Sequence, residues 1–119
     1  MGKNGFDMVK LAYKAADDKK AFDIKVLDIS GISVIADYFL IVSGNNLTQV
    51  DTIKDNIQDV LGRNGYFAKN VEGNQHSGWI LLDYGDLIVH IFTKDDRAFY
   101  NLERVWKDGK DVTEEVSAE

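Results

Sequence analysis

The chain has 119 residues, of which 45% are hydrophobic, and this is enough apolar material for one continuous core and a single domain. It contains no cysteine, which excludes disulfide bonds, thiolate metal sites and thiol catalysis and makes a reducing cytoplasm the expected compartment. Its 14 basic and 20 acidic residues give a net charge of -6, which disfavours direct nucleic-acid binding and either steers the chain toward basic partners or simply keeps it soluble. No run approaches the roughly 20 apolar residues that cross a bilayer, so we expect no membrane association.

The first half of the chain predicts two helices and two strands. Phe6, Val9, Tyr13 and Ala16 recur at helical spacing and predict an amphipathic helix over about residues 4–20. The sequence FDIKVLDI then alternates as a half-buried strand does, and the apolar run YFLIVS predicts a central strand buried on both faces.

A second helix is predicted in LTQVDTIKDNIQDVLGRNG. Asn46 with Gln49 three residues later has the form of a capping box, and Gly65 is placed to end the helix. A short strand over residues 66–71, a β-hairpin and one last helix in TKDDRAFYNLERVW, capped by Thr93, complete the pattern. This order of elements predicts an α/β fold: a single compact domain with a mixed β-sheet flanked by helices.

The hairpin GWILLDYGDLIVHIF, residues 78–92, is apolar on both faces. If Gly85 and Asp86 form a two-residue type II′ turn, Leu82 pairs with Val89 and Ile80 with Ile91 on a wholly apolar core face. The opposite face then carries Trp79, Leu81, Asp83, Ile88, His90 and Phe92.

Two explanations of this second face compete. Helices could cover both faces, with Asp83 hydrogen-bonded to His90 on the diagonal. Alternatively, the face is partly exposed and forms an interface patch, because aromatic side chains beside a few polar groups are typical of interface hot spots. Phe99, Tyr100, Arg104 and Trp106 follow closely in the chain and would extend that patch.

The pattern offers little support for catalysis, a metal or a cofactor. Asp83 and Asp86 are three residues apart across a turn, whereas carboxylates that share a metal on a strand lie two apart. His90 lies among apolar residues, and His76 has no cysteine or second histidine near it in sequence. An anion could bind after Ser43 at the start of the second helix, although a capped helix start explains that stretch equally well.

Three blocks of the sequence resemble a known family. DYFLIVSGNNLTQV, EGNQHSGWILLDYGDLIVHIF and DRAFYNLERVW are similar, in order and spacing, to the signature blocks of the ribosomal silencing factor family, RsfS or Iojap. The resemblance covers roughly residues 6–108. It departs from the family at Asn46, where a serine is usual, and in lacking a proline before EG.

The resemblance implies a fold like that of the nucleotidyltransferases without the catalytic site, since Ser43-Gly44 reverses their Gly-Ser pair and the spacing of Asp83 and Asp86 does not match their Asp-x-Asp strand. It further implies a homodimer that is not an enzyme and that binds the large ribosomal subunit through the basic ribosomal protein L-fourteen. Binding there would block association with the small subunit and repress translation. In organelles, relatives act in ribosome assembly.

These expectations place one α/β domain at residues 1–106 and an acidic, frayed tail at 107–119. The residues expected to contact L-fourteen or a second protomer are Trp79, Leu81, Asp83, His90, Phe92, Tyr100 and Arg104. Two alternatives remain: a divergent nucleotidyltransferase-like enzyme or nucleotide-binding protein, and a homodimeric scaffold whose hairpin patch is consumed by self-association.

Overall fold

The computed structural model of the chain describes residues 2–74 and 76–118. Its helices are α1 (Gly2–Asp18), α2 (Leu47–Arg63), α3 (Lys94–Tyr100), α4 (Leu102–Val105) and α5 (Thr113–Ser117). Its strands are β1 (Phe22–Asp28), β2 (Tyr38–Gly44), β3 (Asn70–Glu72), β4 (Trp79–Asp83), β5 (Leu87–Thr93) and β6 (Lys110–Asp111).

The strands form one six-stranded sheet in the order β3-β4-β5-β2-β1-β6. The central pair β2 and β5 is parallel, and the other neighbouring pairs are antiparallel. The predicted α/β domain with a mixed sheet is therefore confirmed. Because β2 and β5 lie in the middle of the sheet, their side chains are covered on both faces, as the apolar run in β2 predicted.

The two faces of the sheet are covered differently. Apolar side chains of α1, α2 and α5 pack on one face and form the larger core cluster with residues such as Leu40, Leu82 and Ile91. The second face carries a smaller cluster in which Phe39 and Phe92 lie beneath Leu102 and Trp106 from the α4 region. The second face thus has only a partial cover.

The hairpin has the predicted register. Ile80 pairs with Ile91 and Leu82 with Val89, and the backbone N–H of Tyr84 donates to the Leu87 carbonyl across the turn. Gly85 has a φ of +88°, a left-handed conformation that glycine adopts without the steric cost of a Cβ atom.

Gln49 ties the start of α2 to the end of α1. The Asn46 side chain accepts from the Gln49 backbone N–H at 2.9 Å, as a capping residue does, whereas Gln49 Oε1 accepts from Asn45 rather than from Asn46. Gln49 Nε2 donates to the carbonyls of Lys19 and Lys20 at 3.2 and 3.0 Å. The Asn46 cap therefore satisfies one of the backbone donors that a helix start otherwise leaves unpaired.

Two local predictions need correction. The last helix is not continuous, because Asn101 adopts a left-handed conformation with φ of +50° and separates α3 from α4. This break turns the chain so that Leu102 and Trp106 pack on the second face of the sheet. The short strand before the hairpin begins at Asn70 rather than at residue 66.

Residues 107–118 of the acidic C-terminal segment also differ from the frayed tail expected at 107–119. The Lys110–Asp111 strand pairs with β1, and Val112 and Val116 are buried in the larger core cluster. The Thr113 hydroxyl accepts from the Val26 backbone N–H at 2.9 Å. Because two buried valines and a strand pairing outweigh the exposed acids, this segment belongs to the fold.

Within residues 2–74 and 76–118, no helix is both long and apolar enough to cross a membrane.

Candidate protein-interaction surface

The second face of the hairpin is exposed along β4 and buried along β5. Trp79, Leu81 and Asp83 on β4 are half-buried. Their register partners on β5 are Phe92, His90 and Ile88, all of which are buried because β5 is flanked by β4 and β2. Of the predicted contact residues, Phe92 is completely inaccessible and His90 is only 4% exposed. These two side chains therefore support the surface from beneath and are not contact residues in this conformation.

Three aromatic rings lie around that of Trp79. The ring centroids of Tyr100 and Phe92 lie 4.6 and 5.1 Å from that of the indole, and the His90 imidazole lies 5.9 Å away. Such offset and tilted contacts add to the stability that burial alone provides. Tyr100, at the end of α3, remains 43% exposed, so Trp79 and Tyr100 form the accessible part of this cluster. We call Trp79, His90, Phe92 and Tyr100 the aromatic cluster.

One hydrogen bond fixes the polar edge of the indole. Trp79 Nε1 donates to His90 Nδ1 at 3.1 Å, diagonally across the two strands. The predicted hydrogen bond between Asp83 and His90 is not formed; Asp83 Oδ1 instead accepts from the Gly85 backbone N–H at 2.8 Å. Asp83 is therefore a turn-stabilising residue, since a carboxylate that bonds its own backbone two residues on is typical of tight turns.

His90 is neutral in this environment. An indole N–H can only donate, so His90 Nδ1 must accept and the imidazole carries its proton on Nε2. Burial lowers the pKa of His90 from its ordinary value of 6.5 to about 4. Phe39 packs edge-on against the ring with centroids 4.7 Å apart, and His90 Nε2 has no hydrogen-bond partner among the described residues.

Acidic and polar side chains border the exposed strand. Glu72 and Asn70 on the edge strand β3 pair with Leu81 and Asp83, so they share the face that carries Trp79. Glu72, Gly73, Trp79 and Leu81 line a shallow pocket of about 220 Å³. Gly73 has a φ of +91°, and a Cβ atom there would lie 2.5 Å from the Trp79 carbonyl oxygen, so glycine is required beside the pocket.

Arg104 is not part of the aromatic cluster. It is exposed on α4, and no hydrogen bond, ion pair or ring contact within the described residues joins its side chain to Trp79 or Tyr100. Phe99, which is 80% exposed, packs against Tyr100 with ring centroids 5.1 Å apart and extends the apolar surface instead.

Sequence reasoning missed two further features. Ile32, Val34 and Ile35 are exposed in the loop between β1 and β2, and their only signal is an apolar run in a segment without strand or helix periodicity. Arg97 on α3 is buried, and nothing in the pattern marked it as different from a surface arginine.

Arg97 fills the strand-end position where an anion site was considered. Its Nη1 donates to Ser43 Oγ at 2.9 Å, and its Nε and Nη2 donate to Glu103 Oε2 at 3.0 and 2.8 Å. The arginine charge is thus neutralised by an internal carboxylate, and the Ser43 hydroxyl is already engaged. This arrangement favours a structural role for Ser43 over anion binding.

The described residues, with only Met1, Gln75 and Glu119 outside them, contain no group of three or more histidine or acidic side chains that could hold a metal ion.

Fold and surface together define a small α/β domain whose mixed sheet carries an exposed aromatic face. The family described as "Ribosomal silencing factor during starvation" matches residues 3–119. The Bacillus subtilis (strain 168) protein named "Ribosomal silencing factor RsfS" is 48% identical over 105 residues, which cover 88% of this chain and 89% of that protein. The chain belongs to the ribosomal silencing factor family, as the three sequence blocks indicated.

Solved structures agree with this assignment. A crystal structure of a Chromobacterium violaceum protein has a TM-score of 0.83 at 30% identity and covers 85% of this chain and 84% of that one. A crystal structure from Bacillus halodurans has a TM-score of 0.77 at 43% identity, with coverages of 84% and 93%.

Proposed function

We propose that this chain silences ribosomes by steric blockade: it binds the large ribosomal subunit through ribosomal protein L-fourteen and so prevents association with the small subunit. Translation is thereby repressed in the cytoplasm without any chemical step by the silencing factor. The names of its relatives support the silencing role, and they describe regulation rather than catalysis.

The observation that carries the proposal is the half-buried Trp79 on β4. Its indole is held by Phe92, His90 and Tyr100 while part of it stays accessible beside Leu81 and the pocket. A large aromatic side chain that is already ordered loses little conformational entropy when a partner covers it. Such residues are typical hot spots of protein interfaces.

Charge supports a basic partner at this surface. Glu72 shares the sheet face with Trp79 and makes no ion pair within the described residues, and the whole chain has a net charge of -6. Electrostatic complementarity of this kind raises association rates with a basic protein and lowers affinity for RNA phosphates. We assign direct contact to Trp79, Leu81 and Tyr100, with Asp83 and Arg104 at the margin.

The proposal also includes a homodimer. The edge strand β3 and the exposed Val71 on it support this, because an unpaired strand edge is a ready site for pairing with a second copy. Analytical ultracentrifugation with and without large subunits tests whether dimer formation and ribosome binding compete.

The test of silencing is co-sedimentation of the protein with isolated large subunits, repeated with small subunits present to follow subunit joining. We expect the intact chain to bind and to suppress joining. Trp79→Ala should fold but bind at least about 30-fold more weakly, the result of losing about 2 kcal/mol at a hot spot.

Phe67→Ala is the matched control. Phe67 is an exposed aromatic residue in the loop after α2, beside Gly62, and it is not a neighbour of the aromatic cluster. The Phe67→Ala variant should bind large subunits as tightly as the intact chain does. Absence of binding by the intact chain at low and moderate salt would refute the proposal, and equal loss in both variants would refute the assignment to Trp79.

A further inference from the structure

His90 is an unusual choice for its position. It is buried between Phe39, Trp79 and Phe92, with ring centroids 4.7, 5.9 and 6.3 Å away. Its Nε2 has no hydrogen-bond partner among the described residues. A buried donor without a partner destabilises a fold, whereas a phenylalanine or leucine would fill this apolar place without that penalty.

What the imidazole adds is an acceptor for the Trp79 indole. The bond from Trp79 Nε1 to His90 Nδ1 crosses from the exposed strand β4 to the central strand β5. Trp79 lies beyond the end of the edge strand β3, which pairs only with residues 81–83 of β4, and Trp79 is only half-buried. Without the acceptor, the indole N–H would have to find solvent, and the ring could leave its present orientation.

We propose that His90 is a positioning residue for partner binding: it locks the Trp79 indole in the orientation that the partner recognises, without touching the partner itself. This inference rests on the proposed function, since it assigns a role within the same surface. It explains why a polar group lies beneath an otherwise apolar interaction face.

The cluster geometry makes the role specific to the indole. Phe92 and Tyr100 contact the ring and supply packing in more than one orientation, because tilted aromatic contacts tolerate rotation. The hydrogen bond is directional and selects one of these orientations. Removing it should therefore change the ordering of Trp79 more than the stability of the domain.

The test compares His90→Phe with the intact protein and with His90→Asn. Phenylalanine keeps an aromatic ring without an acceptor, while the asparagine Oδ1 lies near the place of the imidazole Nδ1 and restores it. The first readout is hydrogen exchange of the Trp79 indole N–H by NMR, assigned with Trp79→Phe to separate it from Trp106. The second is affinity for isolated large subunits.

We expect the indole N–H to be protected in the intact protein, to lose protection at least tenfold in His90→Phe, and to regain most of it in His90→Asn. Affinity for large subunits should fall about five- to tenfold in His90→Phe, the effect of ordering one large side chain during binding. Unchanged indole exchange and affinity in His90→Phe would overturn the inference. If His90→Phe does not fold, His90→Leu replaces it, with the same expected and refuting results.

The two readouts separate this inference from the proposed function. If the intact chain fails to bind large subunits, the silencing proposal is refuted, and the indole exchange still decides whether His90 orders Trp79. If the intact chain binds but its indole N–H exchanges as fast as that of free tryptophan, His90 has no positioning role and the silencing proposal stands.

Discussion

Lowering the pH should destabilise this domain through His90. Burial lowers its pKa from 6.5 to about 4, so the unfolded chain binds a proton over a pH range in which the folded chain does not. Stability therefore rises with pH between these two values and is lost as the pH falls from the unfolded pKa toward the folded one. At pH 7 the folded chain is uncharged at this residue and the unfolded chain is only partly protonated, so nearly the full stability is present.

The magnitude follows from the two pKa values. A gap from 6.5 to about 4 corresponds to about 3 kcal/mol of unfolding free energy once the pH is well below both values. Between about pH 7 and pH 5, about 2 kcal/mol of this is lost. For a domain with ordinary marginal stability, that is a substantial fraction of the total.

Urea denaturation at about pH 7 and about pH 5, followed by Trp fluorescence and far-UV circular dichroism, measures this loss. Carboxylates titrate in the same range, so the informative quantity is the difference between the intact protein and His90→Phe. The intact protein should lose about 2 kcal/mol more than the variant does. His76→Asn, at an exposed histidine in the loop before β4, is the control and should lose as much as the intact protein. Parallel pH dependences of the intact protein and His90→Phe would refute the reasoning.

Two further predictions concern stability. Arg97→Leu leaves Ser43 and Glu103 without their partner and should lower the free energy of unfolding by about 2 kcal/mol. The double variant Arg97→Leu/Glu103→Leu should recover part of this loss. A loss below about 0.5 kcal/mol in urea denaturation would contradict the role of this network. Deleting residues 110–119 removes β6 and the two buried valines of the segment, so the free energy of unfolding should fall by about 3 kcal/mol or more. Removal of a frayed tail would instead leave the thermal and urea midpoints almost unchanged.

The sheet was predictable because its strands carry strong local signals. The Gly85-Asp86 turn fixed the hairpin register, and period-two alternation then placed the side chains of residues 79–83 and 87–92 on their correct faces. The continuous apolar run of β2 predicted a central position, since only a strand covered on both faces needs apolar residues throughout. Capping residues Asn46 and Thr93 likewise marked the starts of α2 and α3.

The missed features depend on contacts between distant segments. A helical pattern continues through Asn101, and only the packing of Leu102 and Trp106 on the sheet selects its left-handed conformation. Charge dominates the composition of residues 107–119, yet Val112 and Val116 are buried because α1 and β1 lie next to them in space. Neither arrangement can be read from a local window, because tertiary packing overrides local preference in both.

The same limit applies to the candidate surface. The sequence correctly grouped Trp79, His90, Phe92 and Tyr100, because strand register and the short helix α3 that follows β5 determine their proximity. It could not separate contact residues from supporting ones, since both strands of the hairpin are equally apolar on this face.

Exposure on this face is decided by what lies beside and above each strand. The cover from the α4 region reaches β2 and β5, where Phe39 and Phe92 are buried, and β4 remains half-exposed beside a three-residue edge strand. An apolar strand in that position would be a liability unless its side chains were ordered, because a loose apolar edge favours non-specific association. The bond from Trp79 to His90 orders the exposed indole, and Glu72 places a negative charge on the same face. In the proposed function, the ordered indole presents one fixed shape to the partner, and the negative charge favours a basic partner.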